Sequence, residues 1–242
     1  MILVQINEKK SFICTIFVYL YNYCINVVMK QDALNQAGNT PFSTSVLAAF
    51  YPENRQISDK ARRLEQEGRI IRLKRDLYVR SVEDGASPVT PLIANHIYGP
   101  SYVSMLTALR HYGLIPERVY EIQSMTTKHS RTFDTPLGRF SYLHCDTDYF
   151  PIGIRQELDG NDTYLIASPE KALCDLLVKT SGLKASSARG LRAYLESDLR
   201  FDMEALKEFD TEILALCYNH ASVKNEMIFK LINLIADEQR HV

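Results

Sequence analysis

No CxxC pair, no GxGxxG, no GxxxxGKS/T and no GxSxG occurs in the 242 residues. These absences leave no support for a thiol-pair redox or zinc-ribbon site, for phosphate-cradling nucleotide loops or for a hydrolase nucleophile elbow. Charge of one sign is lacking too. The net charge is −1, so no global field advertises nucleic acid, and any basic footprint has to be local. The five cysteines, at 14, 24, 145, 174 and 217, are an odd and scattered set. That argues against a disulfide framework and for a reducing compartment, so a cytoplasmic location is expected. There is no internal repeat, no low-complexity tract, and no clustered acidic set between 88 and 185 of the kind a nuclease needs.

What is present is ordinary for a soluble globular chain: 46% hydrophobic and 24% charged residues, long enough for one large core or two smaller ones. Residues 1–28 stand apart. "SFICTIFVYLYNYCINVVM" is apolar and follows Lys9 and Lys10, but Asn22, Asn26 and several tyrosines interrupt it and no small-residue cleavage site follows. It reads as a start-site extension ahead of Met29 rather than as an anchor, and no membrane partner is expected.

Charge is segregated along the chain. Positions 52 to 80 hold nine Lys/Arg against five Asp/Glu, a local net of +4, which leaves −5 for the remainder. The same region, 29–80, reads as helix, helix, helix, strand, strand. The first helix covers about Lys30 to Ala37 and ends at Gly38; a second carries Val46, Leu47 and Phe50 before Pro52; a third starts near Asn54, with Ile57, Ala61 and Leu64 at helical spacing. In "RIIRLKRDLYVR" (69–80), Ile71 and Leu73 alternate with Arg72 and Lys74, "LKRD" makes a turn, and Leu77 to Val79 return. That order is the order of a winged helix-turn-helix.

With the third helix as the recognition helix, Arg62 and Arg63 are the leading candidates for DNA contact, joined by Asn54, Arg55, Gln56 and Lys60. On the wing, Arg72, Lys74 and Arg75 would grip phosphate independently of sequence. The competing reading is a solvated face balanced by Glu65, Glu67 and Asp76.

Residues 81–88, "SVEDGASP", are turn-rich and read as a linker. Beyond it, 89–242 reads as a second, α+β domain: a helix from Thr90 to Gly99, a helix over "SYVSMLTALRHYG", strands at 119–125, 130–134, 139–144, 149–157 and 163–166 with turns at "TPLG" and "DGND", then helices to the end. The fold expectation is therefore α+β, an N-terminal winged helix-turn-helix followed by a larger mixed domain with a helical C-terminal part.

"SPEK" at 168–171 invites comparison with a nuclease metal site, but its glutamate and lysine are adjacent rather than one position apart. A helix start explains it better, with Ser168 as cap and Pro169 at the first position. His144 and Cys145 are neighbours without a second pair at ligand spacing, so no metal or cofactor is expected.

Three blocks, "GPSYVSMLTALRHYGLIPE", "SMTTKHSRTFDTPLGRFSY" and "IASPEKALCDLL", resemble the AbiEi-like antitoxins of type IV toxin–antitoxin systems over about positions 40 to 220. The resemblance implies an N-terminal winged helix, repression of the protein's own operon through operator repeats, and opposition to a nucleotidyltransferase-like toxin with no stable complex required. It supports DNA roles for Arg62, Arg63, Arg72, Lys74 and Arg75, and no catalytic activity. Where many relatives have glycine after the basic pair of the wing turn, this chain has Asp76, which tolerates a left-handed backbone. Tyr102, Ser104, Thr126, Thr127, Lys128 and Arg131 fall within the blocks, either lining a functional surface or serving as caps and strand residues. A homodimer, or two copies on repeated half-sites, is expected on double-stranded DNA. The alternatives are a nuclease or nucleotide-acting enzyme to which the winged domain delivers substrate, and a protein-binding adaptor.

Overall fold

Ser43 begins the first complete helix: its hydroxyl accepts the Val46 N–H at 3.4 Å, and α1 (Thr44–Phe50) follows. The structure, a computed structural model, describes residues 33–182 and 187–240. The expected extension 1–28 and the start of the helix expected at Lys30 lie outside them; its end is helical at 33–35. Two compact units divide the chain, one reaching Ile71 and including Tyr78–Ser87, the other formed by Arg72–Leu77 and everything from Pro88 onward.

In the first unit α2 (Ile57–Gln66) starts two residues later than an Asn54 cap implies. Gln56 precedes it without a capping side chain, and the Asn54 amide donates instead to Glu53 Oε1 at 3.0 Å. Ala61 and Leu64 turn inward one helical turn apart, joining Leu34, Leu47 and Ile70 among the rings of Phe42, Tyr51 and Tyr78. β1 (Ile70–Lys74) and β2 (Leu77–Arg80) form a two-stranded ribbon. On β1 Leu73 is buried as expected, but it is Ile70 rather than Ile71 that is buried with it, and Phe42 exchanges backbone hydrogen bonds with Tyr78 of β2 at 2.8 and 2.9 Å. Asp76 takes a φ of 59° in the turn, as its tolerance of the left-handed region allows.

The expected linker is not loose. Ser81 caps a short 3₁₀ turn, Val82–Asp84, and the Asp84 carboxylate receives Arg69 Nε at 2.7 Å and Arg80 Nε at 2.9 Å. Two of the cations of the basic stretch, Arg69 and Arg80, are thereby taken up in fastening this segment.

The second unit is a six-stranded mixed sheet with helices, so the chain is of mixed α and β structure. Its strand order is β5-β6-β4-β3-β8-β7, with β3 (Ser101–Val103), β4 (Glu121–Thr126), β5 (Arg131–Thr135), β6 (Gly138–His144), β7 (Ile154–Asp159) and β8 (Asp162–Ala167). β4 and β6 run parallel, as do β3 and β8; the hairpins β5–β6 and β7–β8 close through the two expected turns. α3 (Thr90–Ile97) carries Pro91 in its first turn, and α4 (Met105–His111) follows β3. The single helix expected over 101–113 is thus a strand and a helix. Ser101, Tyr102 and Val103 are all buried, so β3 lacks the alternation that marks a strand. The strand expected from 149 begins only at Ile154, because Tyr149 and Phe150 turn back onto the Asp146 carbonyl. α5 (Pro169–Lys179) starts as expected, its Ser168 hydroxyl accepting the Lys171 N–H. α6 (Ala188–Ala193), α7 (Thr211–His220) and α8 (Asn225–Arg240) complete the unit. Among the described residues no helix is long and apolar enough to cross a membrane.

Candidate nucleic-acid interface

Packing Ile57, Ala61 and Leu64 on the core turns the opposite face of α2 outward. Arg55, Gln56, Arg62 and Arg63 are exposed; Arg62 meets Asp59 at 3.5 Å with both side chains more than half exposed, a pairing worth well under ~1 kcal/mol that a phosphate can displace. Lys60 lies against the first unit, its ammonium 4.5 Å from the centre of the Tyr51 ring. Asn54 is half-buried. At the ribbon turn Arg72 and Arg75 are exposed.

Lys74 is placed differently. Within the second unit its ammonium donates to the Ile97 carbonyl at 2.6 Å and lies 5.8 Å from the centre of the Phe133 ring. Lys128 donates to the Gly99 carbonyl at 2.5 Å and lies 5.2 Å from the Tyr98 ring; the Arg131 guanidinium is 4.9 Å from Phe133. Tyr98, Phe133 and Tyr142 pack together at 5.4 to 5.7 Å, Tyr142 edge to face with each of the other two rings. Three cations therefore converge on two rings, Tyr98 and Phe133, and on carbonyls at the end of α3, where the helix presents its negative pole. Burial holds the Lys74 amine below its usual value, and the nearby charges of Lys128 and Arg131 push the same way against Asp76. Such crowding of positive charge is relieved by an anion.

Of the second-domain candidates, Lys128 and Arg131 are exposed and meet in this cluster, and Thr127 is half-buried beside them. Tyr102, Ser104 and Thr126 are each fully buried, as strand residues and a helix cap rather than as a surface. The Thr126 hydroxyl donates to the Pro100 carbonyl at 2.8 Å and accepts the Lys128 N–H at 3.2 Å, so it positions the lysine backbone from within. Tyr102 and Ser104 donate to Asp175 Oδ2 at 3.1 and 2.6 Å. Asp175 Oδ1 lies 3.3 Å from the Lys171 ammonium, with neither side chain exposed. Lys171 also donates to the Tyr149 carbonyl at 3.0 Å and sits over that ring.

That interior network is what sequence reasoning missed, although a lysine and an aspartate four apart in the otherwise apolar "KALCD" were its signal. It also separates Glu170 from Lys171: the glutamate accepts the Asp210 N–H at 3.2 Å, away from the lysine's partners. Among the described residues no group of three or more His, Cys, Asp or Glu is placed to hold a metal ion.

No family model and no curated protein matches the chain.

The buried groups set an alkaline limit. Burial, reinforced by the Asp175 charge, raises the Tyr102 and Tyr149 phenols, burial alone raises Tyr142, and the Cys145 thiol is pushed up to about 11. These groups hold their protons more tightly folded than unfolded, so their stabilisation is complete below the unfolded values, 9.0 for the thiol and 10.0 for the phenols, and is lost as pH rises through the folded ones. The melting temperature is expected to be unaffected by these groups below about pH 9 and to fall steadily above it, with the phenolate absorbance of the buried tyrosines appearing at the unfolding transition. Exposed tyrosines such as Tyr120 ionise in the folded protein; ionisation of the full set of tyrosines before unfolding would contradict this burial.

Proposed function

We propose that this chain is a DNA-binding repressor of its own operon, built on a winged helix-turn-helix, and an antitoxin of the type IV class. α2 is the recognition helix, the β1–β2 ribbon is the wing, and the chain opposes a nucleotidyltransferase-like toxin without holding it in a stable complex. The observation that carries the DNA-binding part is the exposed pair Arg62 and Arg63 on a helix anchored by Ala61 and Leu64 and followed by a short basic ribbon. An arginine on such a helix reaches guanine edges or phosphates in the major groove. Arg72 and Arg75 add phosphate contacts at the wing, and Lys74, Lys128 and Arg131 supply a further cationic surface. The antitoxin part rests on the resemblance of the three sequence blocks.

The test is binding to labelled DNA from upstream of the gene, against scrambled DNA, over a salt series. The expected result is selective binding that falls steeply with salt and is lost in the Arg62→Ala, Arg63→Ala double variant. Weak binding that ignores both sequence and variant would remove the repressor reading. Co-expression with the toxin tests the other half: the chain is expected to relieve growth arrest although the two proteins do not co-purify.

A further inference from the structure

β7 is the outermost strand of the six-stranded sheet, flanked by β8 and by no other strand among the described residues. Its turn determines which backbone groups point outward. Asp159 and Asp162 face each other across Gly160 and Asn161, and in a two-residue hairpin the closing pair exchanges both backbone hydrogen bonds, a pattern that repeats every second residue. Asp159, Glu157 and Arg155 therefore direct their N–H and C=O groups to β8. Ile154, Gln156 and Leu158 direct theirs at the open edge.

An edge with exposed apolar side chains is a template for another strand. Leu158 is 73% exposed, and Leu165, on the same face of β8 and opposite Gln156, is 40% exposed. No proline and no lysine stands in Ile154–Asp159, but Arg155, Glu157 and Asp159 are charged, so only a strand that matches those charges can pair here.

The sequence of the strand fits one partner in particular. A second copy of β7 laid antiparallel, outward groups opposite outward groups, can centre on Arg155, Gln156 or Glu157 while overlapping most of the strand. Centring on Arg155 sets arginine against arginine, and centring on Glu157 sets glutamate against glutamate. Centring on Gln156 sets Ile154 opposite Leu158 and Arg155 opposite Glu157, each pair occurring twice by the two-fold symmetry. Arg155 is half exposed and holds Glu170 Oε2 only at 4.0 Å, an ion pair beyond hydrogen-bond range, which leaves its guanidinium donors able to reach a glutamate on a partner strand.

We infer that β7 is a self-association edge, pairing antiparallel about Gln156 with β7 of a second copy of this chain to join the two sheets. Leu158 of each copy is then covered by Ile154 of the other, and two reciprocal arginine–glutamate pairs fix the register. Pairing of this kind requires no DNA.

Sedimentation velocity of the full chain, without DNA, is the test. The sedimentation coefficient of the wild type is expected to rise with concentration. Leu158→Lys, at an exposed position that does not threaten folding, and Glu157→Arg, which opposes like charges, are each expected to weaken association about tenfold or more. Arg155→Glu and Glu157→Arg proteins, each poor at self-association, are expected to associate when mixed, and the double exchange in one chain restores self-association. A wild type that remains monomeric at every concentration overturns the proposal, and so does association that neither Leu158→Lys nor Glu157→Arg weakens.

Discussion

Asp175→Ala is expected to lower the unfolding free energy by about 3–5 kcal/mol, the range for removing one member of a buried ion pair. The expectation follows from what is left behind. Lys171 is wholly buried, and without Asp175 its ammonium keeps only the Tyr149 carbonyl and the aromatic faces around it. The Ser104 and Tyr102 hydroxyls lose their acceptor in the same step, at roughly 1–3 kcal/mol for each that finds no other. Urea unfolding followed by circular dichroism measures the change as a shift in midpoint at constant slope. Removing both charges with apolar residues of similar size, as in Lys171→Met with Asp175→Leu, is expected to recover much of the loss, because the uncompensated charge is then gone. An Asp175→Ala protein within about 1 kcal/mol of wild type would mean that the pair is hydrated or open in solution.

The same network shows where sequence reasoning stops. The cap at Ser168 and Pro169 is local chemistry, carried by the residues that perform it, and it is found where "SPEK" places it. The turns "TPLG" and "DGND" are legible for the same reason. Tyr102 and Ser104 were legible only as residues of a block. What they do depends on Asp175, more than seventy positions away, brought to them when α5 packs against α4. Asn54 misled in the opposite way: it is a good cap by type, yet α2 starts at Ile57, where Ile57, Ala61 and Leu64 can reach the core together. The cationic cluster was half legible. Lys74, Lys128 and Arg131 could each be singled out as basic, but their convergence depends on the end of α3 and on rings from separate elements.

The second large effect concerns that cluster. If the proposed operator contact includes the phosphate backbone at Lys128 and Arg131, Lys128→Glu with Arg131→Glu is expected to weaken DNA binding on the order of 10²-fold at ~0.1 M salt. Each phosphate contact releases ~0.9 counterion, worth roughly eightfold in affinity at that salt relative to 1 M, and reversal adds repulsion to the loss of two contacts. The slope of log affinity against log salt should become shallower by about 1.8. Selectivity for operator over scrambled DNA should change little, because phosphate contacts carry no sequence information directly. Arg62→Ala with Arg63→Ala should instead reduce selectivity together with affinity, as residues that reach base edges do. Both substituted positions in the cluster are exposed, so the fold should hold, as a melting curve would check. Unchanged affinity and slope would place Lys128 and Arg131 outside the DNA contact and leave α2 and the ribbon turn as the interface. A loss of selectivity equal to that of the arginine pair would instead make the cluster part of base readout, with the half-exposed rings of Tyr98 and Phe133 as the surfaces to change next.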